Sequence, residues 1–93
     1  MKAIYPEQLP ELVETSKGTY IEYQNNNSDI VLRCTPNMVK KTITVIRSFE
    51  LFWDDITGEW EKRKIDNSIG IRDFGHDTVI SPIDGKLWNL EIR

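Results

Sequence analysis

The stretch Pro36-Asn37-Met38-Val39-Lys40-Lys41-Thr42-Ile43-Thr44-Val45-Ile46-Arg47-Ser48-Phe49-Glu50-Leu51-Phe52-Trp53 decides the fold. Read as a helix, it opens on Thr35 as N-cap with Pro36 at the first helical position, and Val39, Ile43, Ile46 and Phe49 share a face. Val45 and Leu51 then fall away from that face. Read as a strand, it points Ile43, Val45, Phe49, Leu51 and Trp53 one way, with Arg47 interrupting the row. Composition tips the balance. β-Branched and aromatic side chains dominate from Thr42 to Trp53; they lose rotamer freedom in a helix and pack well on a pleated surface. The expectation is a strand across 41–53 with one helical turn at 36–40. The alternative is an α+β fold in which a helix over about 36–52 packs on a sheet.

The flanks read as further strands. Thr19–Gln24 and Asp29–Cys34 are β-prone and are joined by Asn25-Asn26-Asn27-Ser28, whose side chains bond to local backbone and tolerate left-handed conformations. Downstream, Asp54-Asp55-Ile56-Thr57-Gly58-Glu59 is a hairpin loop with Gly58 for the positive φ, and Trp60–Ile65 is the returning strand. Ile69, Ile71 and Asp73 alternate weakly, between Gly70 and Gly75 as breakers. Thr78–Ile80 and Lys86–Ile92 flank Ser81-Pro82-Ile83-Asp84-Gly85, the clearest turn signal in the chain. At the start, Leu9, Leu12 and Val13 fall at i, i+3 and i+4, which predicts a short N-terminal helix over Pro6–Ser16. The fold expected is mainly β: one domain over 1–93, a small antiparallel sheet or barrel of six or so strands with a short N-terminal helix.

Composition narrows the function classes. The 93 residues carry twelve Lys and Arg against fifteen Asp and Glu, a net charge of −3 and a pI near 5.1. Proteins that live on phosphate contacts show a basic excess, because counterion release drives that binding. Residues 1–46 hold five basic and five acidic side chains; residues 47–93 hold seven and ten, so the net negative charge lies in the second half. A lone Cys34 forms no internal disulfide and points to a reducing compartment. No apolar run approaches the ~20 residues of a membrane helix, and the start lacks a signal-peptide core, so the expected location is cytoplasmic with no membrane partner.

Candidate chemistry is sparse. His76, the single histidine, has Asp73 and Asp77 near it in sequence, an arrangement open to acid–base or metal-assisted catalysis. Read plainly, it is a polar loop; one imidazole is also fewer than catalytic zinc sites use. Cys34 beside Arg33 reads as a small buried hydrophobe rather than a nucleophile. Asp54-Asp55 and Glu59-Trp60-Glu61 pair carboxylates on a hairpin tip, where no cleft exists for two-carboxylate hydrolysis. The chain is therefore read as a non-enzyme, without cofactor or metal. Lys62-Arg63-Lys64 beside Trp60 is a basic and aromatic run suited to single strands, but Glu59, Glu61 and Asp66 surround it, and Arg63 points away from its neighbours on a strand.

Protein recognition remains. Trp53, Trp60 and Trp88 with Tyr5, Tyr20 and Tyr23 make a heavy ration of interface-prone aromatics for a short chain. With Trp53 inward beside Phe49 and Leu51, Trp60 is left as the exposed member. The reading is a small intracellular binding module, an inhibitor, immunity or accessory factor, that occupies a partner protein through Asp54, Asp55, Glu59, Trp60 and Glu61. The partner offers a basic or apolar groove. A nucleic-acid role through the basic and aromatic strand is the alternative, a small enzyme centred on His76 the second alternative, and edge-to-edge pairing leaves a homodimer open.

Overall fold

A computed structural model describes residues 8–93 of the chain. The elements are β1 (Glu11–Thr15), β2 (Gly18–Asn25), β3 (Ile30–Asn37), β4 (Thr42–Asp54), β5 (Glu59–Ile65), α1 (Asn67–Phe74), β6 (Thr78–Ile80) and β7 (Leu87–Ile92). They form one curled, half-barrel sheet in the order β1-β2-β3-β4-β7-β6, with one helix. The fold is mainly β, as the composition predicts.

Thirteen-residue β4 is the spine. On one side it pairs with β3 from Asn37↔Thr42 to Ile30↔Glu50. On the other, β7 runs parallel to its first part, from Thr42↔Asn89 to Val45↔Ile92, and β5 runs antiparallel to its second, from Ser48↔Ile65 to Asp54↔Glu59. The helix alternative over 36–52 is thus overturned. The turn at 36–40 is instead a hairpin loop over 38–41: Asn37 Oδ1 accepts the N–H of Val39 and of Lys40, and Lys41 takes a φ of 55°. Pro36 is tolerated in β3 because β2 has stopped pairing at Cys34, so only one neighbour runs beside it.

A bulge divides β4 into two regimes. Cys34 pairs with Val45 but Arg33 pairs with Arg47, so Ile46 is an extra residue on β4. One inserted residue reverses the sidedness of everything after it. Ile43 and Val45 face the core, and then Ser48, fully buried, does so. Arg47, Phe49, Leu51 and Trp53 face outward. The single row of Ile43, Val45, Phe49, Leu51 and Trp53 expected from strict alternation therefore does not exist, and Trp53 is not inward.

The core lies between the sheet and α1, and its fully buried members include Tyr23, Leu32, Cys34, Ile43, Val45, Phe74 and Val79. The sheet curls around it: Tyr23 Oη on β2 donates to the Ile80 carbonyl on β6 at 2.6 Å, and Gln8 Nε2 donates to the Thr78 carbonyl at 2.9 Å. The first bond joins β2 to β6 across the curl and the second ties the segment before β1 to β6, so the face away from α1 is the outer face. Gly70 sits so close to β4 that a Cβ there would meet Ser48 Oγ at 2.3 Å. Asn67 fixes the start of α1, accepting from Ser48 Oγ and donating to the Ile46 carbonyl freed by the bulge. Gly75, with φ 83°, ends it, its N–H donating to the Ile71 carbonyl.

The expected N-terminal helix is incorrect where it can be compared. Residues 11–15 are an edge strand, with Leu12 opposite Ile21 and Val13 opposite Tyr20; Pro6 and Glu7 lie outside the described residues, as does Tyr5. Among the described residues the one α-helix is α1, where the sequence suggested weak alternation.

Candidate functional site

Pairing with β3 ends at Glu50, and Leu51 N–H makes one last bond to the Asp29 carbonyl. Beyond that level β4 and β5 have only each other, so residues 52–61 form a two-stranded arm. Trp53 stands directly opposite Trp60 on it, ring centroids 5.7 Å apart and planes at 72°. Edge-to-face contact is the favoured aromatic geometry and steadies the arm. It does not hide the rings: Trp53 is 50% and Trp60 60% exposed, and Ile56 in the turn is 96% exposed. Asp54 builds that turn, its Oδ1 accepting from Ile56 N–H at 2.9 Å and Thr57 N–H at 3.3 Å, while Gly58 takes a φ of 70°.

The five residues singled out at the hairpin do not share one surface. Asp54 is a turn cap, and Asp55 is exposed in the turn. Alternation along β5 puts Trp60 on the outer face and Glu59 and Glu61, opposite Asp54 and Phe52, on the other. Trp60 keeps company with Lys62 and Lys64. Arg63 faces away, bonded to Glu50 at 3.0 Å with its guanidinium over Phe52, so the basic triplet is split as the strand reading expects.

The outer face carries a network that sequence reasoning missed. Glu22 on β2 is buried, and its carboxylate holds Arg33 of β3 at 3.1 Å and Lys62 of β5 at 3.4 Å. The Arg33 guanidinium lies 5.1 Å from the Phe49 ring centroid and 5.7 Å from that of Tyr20; the Lys62 ammonium lies 5.7 Å from the Phe49 centroid. Four strands thus contribute to one aromatic and cationic sheet surface, with Val31 buried among its pairing partners Gln24 and Phe49. Arg47 pairs with Arg33 across β3 and β4, and Lys64 with Phe49 across β4 and β5. No element of the described chain covers this face.

Charge is segregated accordingly. Arg33, Arg47, Lys62 and Lys64 point from the strands, and Lys17, Lys40 and Arg93 line pockets at the Tyr20 end of the same face. Against these seven cations stand four acids, Glu11 and Glu22 on the strands and Asp29 and Glu91 at pocket rims. The rest of the described residues carry four cations and ten acids. A net charge of −3 conceals a cationic face on an acidic body. The signal legible in sequence was Trp60-x-Lys62-x-Lys64; the long-range partners Tyr20, Arg33 and Arg47 had none.

The remaining candidates lie away from this face. The His76 ring stands edge-on to Phe74 with centroids 5.7 Å apart, and Asp73 takes Arg72 at 3.2 Å. Among the described residues, no group of three or more His, Cys, Asp and Glu could hold a metal ion. Cys34 is fully buried in the core, and burial, with the Glu22 charge in support, pushes its thiol well above the ordinary range. Trp88 is a core residue whose indole N–H donates to Asp84 Oδ2 at 3.2 Å. Among the described residues, no helix is long and apolar enough to cross a membrane. No protein-family model matches the chain, and no curated protein or solved structure matches it either.

Proposed function

We propose that this chain is a binding protein that acts by occupying a partner protein's surface, with the β4–β5 arm as its prong. One observation carries the reading. Trp53, Trp60 and Ile56, three of the largest exposed apolar side chains, stand together at the free end of an arm that no other strand supports. Tryptophans buried on binding are the residues that most often dominate interface energies. The arm's reverse side offers Glu59 and Glu61, with Asp55 at the turn, so a fitting partner presents an apolar slot with a basic rim.

The test compares the native chain with a Trp60→Ala/Ile56→Asp variant in nuclease-treated lysate of the source organism. Both are first shown to melt cooperatively. Proteins held by the native chain and lost from the variant support the prong. An identical captured set on both overturns it.

A further inference from the structure

The outer sheet face holds more cations than a protein prong requires, and they are not clustered at the arm. We infer that this face binds single-stranded nucleic acid, with Arg33, Arg47, Lys62 and Lys64 on its phosphates and the exposed tryptophans as stacking platforms.

Three features point to a single strand rather than to an acidic protein surface. The cations are arrayed as a track. Lys62 and Lys64 are two residues apart on β5, about 7 Å, and Arg47 lies about 20 Å from Trp53 along β4. Aromatic side chains interleave with them on the same face: Trp60 precedes Lys62 on one rail, and Trp53 and Phe49 lie on the rail beside it. Bases stack on aromatic faces and on guanidinium planes whatever their sequence, so this face offers contacts to bases as well as to phosphates. Finally, part of the array is set in advance. Glu22 fixes Arg33 and Lys62 from beneath, and Arg33 is further held between Tyr20 and Phe49. Arg47 and Lys64 carry no ion pair within the described chain, so their charges face outward uncompensated.

The acidic remainder of the molecule shapes the binding. Its excess of acids over cations among the described residues disfavours a polyanion away from this face. It also keeps affinity modest and steeply dependent on salt.

The experiment is fluorescence anisotropy of a labelled oligothymidylate titrated with the full chain at about 50 mM and about 200 mM salt. The native chain is compared with Arg47→Glu/Lys64→Glu and with Arg63→Glu/Arg72→Glu, which changes net charge equally on other surfaces. On a single strand each phosphate contact is worth about 2.6-fold over this salt range, so binding by the native chain falls about fiftyfold for four contacts. The outer-face variant binds at least about tenfold more weakly than the native chain at low salt, and the control variant stays close to native. Three results overturn the inference: no binding at low salt, equal loss in both variants, or a polyglutamate chain of matching charge competing as well as unlabelled oligothymidylate. The arm prong is judged separately, because Arg47→Glu/Lys64→Glu leaves Ile56 and both tryptophans in place and retains any partner protein that the prong holds.

Discussion

Trp53 and Trp60 face each other across β4 and β5 at a height that β3 does not reach, edge to face with ring centroids 5.7 Å apart. The pair does two jobs with one geometry. Edge-on contact stiffens a hairpin arm that has no third strand, and the ring surface left over stays in water. Trp60→Ala removes the contact but little buried area. The expected loss is about 0.5–1.5 kcal/mol in urea unfolding, with the cooperative transition retained. A loss beyond about 3 kcal/mol would mean that Trp60 is a core residue, as Trp88 is.

Glu22 is the keystone of the outer face. Glu22→Gln keeps its shape and removes the charge shared by Arg33 and Lys62, leaving two cations beside each other over Phe49. Because Lys62 is partly solvated, the expected cost is about 1–3 kcal/mol rather than that of a fully buried pair. An unchanged urea midpoint contradicts this role.

The helix seat depends on an absent side chain. Gly70→Ala places a Cβ 2.4 Å from Ser48 Cβ, and strand and helix must part to admit it. Overpacking of this kind costs about 1–3 kcal/mol. Ser48→Gly empties the same space, so the double variant is expected to be more stable than the sum of the two single changes predicts. A simple sum in a double-mutant cycle removes the contact from the account.

Acid sensitivity has a named contributor. The Asp84 carboxyl is held below the usual carboxylate range, chiefly by the Lys86 backbone N–H at 2.9 Å and further by the Trp88 indole N–H. A lowered folded pKa stabilises above the unfolded value, near 4, and the stabilisation is lost as pH falls through the folded value. Native chain and Asp84→Asn are therefore expected to differ more at pH 7 than at pH 3 in thermal melts. A gap that widens on acidification is the opposite sign.

What the sequence revealed follows from local signals. The strands of three hairpins were legible because Asn25–Ser28, Gly58 and Asp84-Gly85 mark their turns, whereas the β3–β4 turn at 38–41 read as a helical one. Sidedness on β4 was not legible: the extra residue, Ile46, is as apolar as its neighbours, and only the shift from Cys34↔Val45 to Arg33↔Arg47 shows it. Helix α1 was missed because its core face is Gly70 and Phe74, at i and i+4, with Ile71 beside them. A glycine that packs by having no side chain adds nothing to a hydrophobic pattern. Leu9, Leu12 and Val13 misled for the converse reason. They have helical spacing, yet β2 offers a free edge that recruits residues 11–15 as a strand, where Leu12 remains exposed. At the candidate site, Trp60 was found by exposure at a turn, while Glu22, Arg33 and Arg47 reach the same face through pairings that no local pattern encodes.

In the proposed role the β4–β5 arm is the surface a partner covers. The direct measurement is hydroxyl-radical footprinting of the free chain and of the complex it forms, read residue by residue. Trp53, Ile56 and Trp60 are expected to oxidise readily in the free chain and to be protected in the complex, with Trp88 unreactive in both. Full reactivity of Trp53 and Trp60 in the complex, with protection on α1 or at β6 instead, contradicts the prong and moves the interface to the opposite side of the sheet.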